Sequence, residues 1–167
     1  MATLPMYASE SARAASASES RYRITVPIAP ARNARVIALD ARSAAVARRI
    51  SDGPWANARF YTCEATRGRR RADEVLLHGI DGVPAALDDM LRGTDVVVVI
   101  ATDDSGGALA AAIGSACSAR AITTAGVVLG DGFEADDAVA ALRPHARVLL
   151  LSADESDAFE LLRALRV

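Results

Sequence analysis

TDVVVVIATDDSGGALAAAIGSACS, residues Thr94–Ser118, divides into three parts of unlike chemistry. Val96–Ile100 is a continuous run of β-branched residues rather than an alternating one. That is the pattern of a strand covered on both faces, as in a parallel sheet. Ala101–Gly107 (ATDDSGG) is short and acidic and ends in two glycines. Ala108–Ala121 holds almost nothing but alanine and other small residues, which predicts a helix lying close against the sheet. Open α/β sheets place their ligands outside the carboxyl ends of their strands. The loop residues Thr102, Asp103, Asp104, Ser105, Gly106 and Gly107 are therefore the first candidates for a binding edge.

Upstream, Arg35–Asp40 (RVIALD) reads as a short apolar strand ending in a carboxylate. Ala41–Ser51 carries Val46 and Ile50 four apart, with arginines elsewhere, and predicts an amphipathic helix. Asp40 or Ser43 would cap it and Asp52-Gly53-Pro54 would stop it. Ala58–Cys63 and Glu74–Gly79 are two further strands, and Gly82–Arg92 is expected as a helix with Pro84 in its first turn. Downstream, the strands Ile122–Gly130 and Arg147–Ser152 alternate with the helices Glu134–Leu142 and Ser156–Leu165. Met1–Ser20 is alanine- and serine-rich without a period and reads as a disordered or loosely attached leader. Arg21–Pro30 predicts a short edge strand, limited by Pro27 and Pro30. Alternating strands and helices predict a single α/β domain over residues 21–167. Its expected architecture is three-layer, doubly wound and Rossmann-like, with a mainly parallel sheet.

A chain of 167 residues is long enough for one good core. With 51% hydrophobic but only 4% aromatic residues, that core is aliphatic and rich in alanine. A net charge of −2 offers no general attraction to nucleic acid or to an anionic membrane. All 19 basic residues are arginine, which excludes chemistry that needs a lysine, such as a Walker-A loop or a Schiff base. Cys63 and Cys117, with His78 and His145, lack the spacing of a four-ligand zinc site. Both thiols read as small buried hydrophobes in a reducing compartment. There is no apolar run of spanning length and no basic-then-apolar leader, so the expected location is cytoplasmic.

Asp40, Asp103 and Asp104 are the residues to weigh for chemistry. If the first strand neighbours the strand Val96–Ile100, all three carboxylates converge on one edge. Two roles are open to them there: ligands for Mg²⁺, which prefers oxygen, or caps for orphan amides at helix starts. Ser105-Gly106-Gly107 would let backbone amides approach a phosphate. Neither Gly-x-Gly-x-x-Gly nor a Walker-A pattern is present, and the first strand runs straight into Asp40–Ser43. A dinucleotide fingerprint is therefore absent and no cofactor is specified. His78 and His145 read as polar groups at the ends of elements, His145 beside the last carbonyls of a helix. Cys117 has no neighbouring histidine to activate it. Arg67, Arg69, Arg70 and Arg71 form a basic loop, either solvated or facing a phosphate or acidic partner.

From Arg35 to Asp154 the order of elements resembles the nucleotide-binding half of the tubulin/FtsZ family. Asp95–Phe133 is similar to that family's strand, signature loop, small-residue helix and following strand, and Arg147–Glu155 to its next strand and exit. The family's nearly continuous Gly/Thr run is here reduced to Ser105, Gly106 and Gly107. The resemblance implies GTP binding, phosphates held by the loop, and polymerisation.

Three readings follow from the sequence. One is a non-catalytic α/β module binding a small ligand, with nucleotides and other phosphate-bearing molecules among the candidates, or a protein partner at the carboxyl edge. The second is a Mg²⁺-dependent enzyme on a nucleotide or phosphate ester, using Asp40, Asp103 and Asp104. The third is a structural subunit of a homodimer, joined through a sheet edge or a helix face.

Overall fold

The computed structural model describes residues 29–63, 75–131 and 134–167. In chain order the elements are β1 (Ala34–Ala38), α1 (Ala41–Ser51), β2 (Ala58–Cys63), β3 (Leu76–Gly79), β4 (Pro84–Ala86) and α2 (Leu87–Leu91). They continue as β5 (Val96–Ala101), a 3₁₀ turn (Asp104–Gly106), α3 (Gly107–Ala119), β6 (Thr123–Leu129), α4 (Asp136–Leu142), β7 (Ala146–Ala153) and α5 (Glu155–Ala164). Together they make one mixed α/β domain with a seven-stranded sheet, in the order β4-β3-β2-β1-β5-β6-β7.

β5 sits near the middle of the sheet and all six of its residues are buried, which is why its valines run without alternation. Val97, Val99 and Ala101 join one core cluster with Leu87, Leu91, Ile113 and Leu142, under α2, α3 and α4. Val96, Val98 and Ile100 join a second cluster with Ala47, Ile50, Ala158 and Leu162, under α1 and α5. One strand thus feeds a core on each face of the sheet. Small residues let α3 approach closely: a side chain at Gly114 would strike the ring of His145, 2.5 Å from its Cδ2.

β1, β2, β5, β6 and β7 run parallel. β3 runs antiparallel to β2, and β4 antiparallel to β3. Here the structure corrects the expected helix Gly82–Arg92, of which only Leu87–Leu91 is helical. Asp81-Gly82 is a hairpin turn rather than a lead-in to a helix. Gly82 takes φ +83°, Asp81 Oδ1 accepts from the Val83 amide at 3.1 Å, and Gly79 N donates to Val83 O at 2.8 Å. Asp-Gly between apolar runs is the strongest short-range hairpin signal. Pro84 then opens an edge strand, where its missing N–H leaves no bond unmade.

The other predicted elements lie within two residues of the observed ones. The leader Met1–Ser20, the edge strand as far as Ile28, and the arginines 67 and 69–71 lie outside the described residues. Among the described residues no helix is long and apolar enough to cross a membrane.

Candidate functional site

β1 and β5 are neighbours, with Ala38 opposite Ile100, so Asp40 and the loop after β5 do meet at the carboxyl edge. Asp40 is only 5% exposed, and both of its carboxylate oxygens accept hydrogen bonds. Oδ1 accepts from the Ser43 amide at 2.7 Å and from the Thr102 hydroxyl at 2.6 Å, while Oδ2 accepts from the Thr102 amide at 2.7 Å. The Ser43 hydroxyl stands 3.1 Å from the Asp40 amide and completes a capping box at the start of α1. A buried charge is tolerable only with such a set of donors. Asp40 therefore closes α1 and clips the end of β1 to the end of β5.

Asp103 and Asp104 turn away from it. Asp103 Oδ1 accepts from the Ser105 amide at 2.8 Å and from the Ser105 hydroxyl, so it caps the 3₁₀ turn. Asp104 Oδ1 accepts from the amides of Asp137 at 2.7 Å and Ala138 at 3.3 Å. These belong to the first turn of α4, whose own N-cap residue, Ala135, supplies no side-chain bond. Asp104 is thus the cap of a helix more than thirty residues away in sequence. Asp154, after β7, repeats the pattern: its Oδ1 accepts from the Asp157 amide at 2.9 Å in a second capping box. That backbone bond, with Ser156, holds the Asp154 carboxyl below its ordinary range. Carboxylates after three of the parallel strands are therefore helix caps. Among the described residues no group of three or more His, Cys, Asp or Glu side chains could hold a metal ion.

The two glycines differ in function. A side chain at Gly106 would stand 2.5 Å from Leu39 Cβ and 3.1 Å from Leu39 O, so the loop lies directly on the end of β1. At Gly107 the nearest atom is Asp137 Cβ at 3.4 Å, an ordinary contact. The amide of Gly107 donates to Asp104 O within the turn. With Asp103 and Asp104 beside it, this helix start presents negative charge where a phosphate would have to sit. Across the mouth, Arg42 Nη1 of α1 meets Glu134 Oε2 at 3.3 Å, an exposed pair between α1 and the segment leading into α4. Such a pair contributes little to stability.

The structure therefore brings Asp40 and Thr102 together, stacks Gly106 on Leu39, and sends Asp103 and Asp104 to separate capping duties. His145 keeps its expected place at the end of α4, its amide donating to Leu142 O at 2.9 Å, while its ring turns to α3. Its Nδ1 lies 2.8 Å from Ser118 Oγ, and its ring covers Gly114 on α3. His78 is half-buried on β3, two strands from β1. Cys63 and Cys117 are both buried, and burial pushes their thiols up, Cys63 to about 12.

One cavity lay beyond the reach of the sequence. A space of about 530 Å³ opens near the amino end of β2, lined by Arg59, Phe60, Tyr61, Ile80, Asp81 and Val83 among others. It depends on the β3–β4 hairpin, so the Asp81-Gly82 turn signal was the only pointer to it. No model of a known protein family matches the sequence, and no curated protein matches it.

Proposed function

We propose that the chain is a non-catalytic α/β binding module on a doubly wound, Rossmann-like scaffold. On this reading the carboxyl edge locks the scaffold, and the partner is held by surface contact without covalent chemistry. The scaffold assignment is supported by the helices after β1 and β5, which pack on opposite faces of the sheet and lead to opposite edges. That is the arrangement of a topological switch point.

The observation that carries the functional reading is the burial of Asp40 with both of its carboxylate oxygens hydrogen-bonded. Its two oxygens hold Ser43 and Thr102 in the crevice where such sheets bind ligands. A Mg²⁺ held by Asp40 would compete with the bonds that close α1 and join two central strands. What the edge still presents to solvent is Arg42, Asp104, Ser105 and Glu134, a polar rim suited to a protein partner. The likeness to the tubulin/FtsZ half is then one of scaffold, with the phosphate loop converted to packing and caps.

The test is a thermal-shift panel of GTP, GDP, ATP, NAD and NADP, each with and without Mg²⁺, and Mg²⁺ alone. A ligand at about 100 times its dissociation constant stabilises by about 2.7 kcal/mol. For a domain of this size that moves Tm by several degrees. No nucleotide and no Mg²⁺ should move it. A shift of several degrees with any of them, lost in Asp103→Asn, would overturn the reading.

A further inference from the structure

The two edges of the sheet are finished differently. β4 is three residues long and begins with Pro84, which blunts that edge against further pairing. β7 is eight residues long and without proline, carries one charged residue, the exposed Arg147 near its start, and pairs with β6 alone among the described residues. Val148 and Leu151 on β7 are 36% and 48% exposed. The β6–β7 register is regular over Val148–Leu150 and shifts on either side, which leaves a short straight window at the middle of the edge.

α4 lies over this end of the sheet. Its Ala138 and Leu142 enter the core, and Asp137 and Ala138 lie against Gly107 of α3. At 3.6 residues per turn, Asp136, Val139 and Arg143 then share the flank turned away from α3, on the β7 side of the sheet. With Ala140 and Pro144 they line a groove of about 510 Å³. Asp136 stands at the amino end of that flank and Arg143 at its carboxyl end.

We propose that the occupant of this edge is a second copy of the chain, paired antiparallel through β7 about a two-fold axis. The flank is self-complementary in charge. A two-fold axis across the edge lays the two α4 helices antiparallel, so Asp136 of each copy meets Arg143 of the other. Val139 meets its symmetry mate between them. Leu151, on the face of β7 that Leu149 shares with α4, is covered below, while Val148 lies on the opposite face with Leu150. An isologous contact of this kind closes at two copies. The regular window of three residues spans only about 10 Å of strand, so the contact rests on the α4 flank as much as on the β7 edge and is a weak one. The dimer is therefore concentration-dependent.

Sedimentation velocity of the full chain, from low micromolar to several hundred micromolar, tests this. The mass should rise from 17.4 kDa towards twice that value. Arg143→Asp places like charges together at two symmetric points and should raise the dissociation constant at least about tenfold. Combining it with Asp136→Arg reverses both partners and should restore association. Leu151→Lys should leave a monomer with an unchanged circular dichroism spectrum. A chain that stays monomeric throughout would overturn the proposal and leave the edge to a different protein. A dimer indifferent to Arg143→Asp and Leu151→Lys would overturn it too, by placing the contact on another face.

Discussion

Gly106→Ala separates a phosphate loop from a packing joint. The methyl would stand 2.5 Å from Leu39 Cβ, where about 3.5–4.0 Å is the comfortable carbon–carbon distance. It would also stand 3.1 Å from Leu39 O. Leu39 has no room to retreat, being fully buried with its amide bonded to Ile100 O at 3.0 Å. Gly106 has φ −96°, which alanine adopts freely, so the cost is steric alone. Overpacking of this kind costs about 1–3 kcal/mol, and contact with a strand end on its backbone side favours the upper half of that range. Gly107 is the control. Its φ −55° and ψ −43° are helical, and its methyl would make an ordinary contact at 3.4 Å. Gly107→Ala should therefore stabilise by about 0.4–1 kcal/mol through the unfolded chain. Two adjacent glycines thus carry opposite signs, separated by about 2–4 kcal/mol. Urea unfolding followed by circular dichroism, without ligand, measures both. A Gly106→Ala protein as stable as the parent, or equal losses at the two positions, would refute the packing argument.

Asp40→Ala removes the cap of α1 and strands the buried Thr102 amide, and should cost roughly 2–4 kcal/mol; hydrogen exchange should show α1 and the end of β5 opening together, and a loss confined to α1 would break the proposed link between them. Cys63 governs a response to alkali. Its thiol is near 9.0 when unfolded and about 12 when folded, so the native state keeps a proton that the unfolded chain gives up. This contribution is whole below pH 9 and is lost as pH rises through about 12. Against Cys63→Ala, the parent's stability should fall more steeply between those limits, by up to about 1.4 kcal/mol per pH unit. Parallel slopes in paired urea titrations would count against it.

Much of this molecule follows from local chemistry alone. The valine run of β5, the small residues of α3 and the alternation of strands with helices locate the carboxyl edge and name its residues, because burial on two faces leaves a signature in composition. The hairpin at Asp81-Gly82 was written there as well, but helical spacing at Leu87 and Leu91 competed with it, and Pro84 suits either a first helical turn or an edge strand. What the carboxylates do was decided only by tertiary structure. Asp104 reaches the amides of Asp137 and Ala138, and Gly106 rests on Leu39, across distances in sequence that no local pattern encodes. An aspartate after a strand has the same local sequence whether it caps a helix or binds a cation. The difference lies in which amides the fold brings within hydrogen-bonding distance.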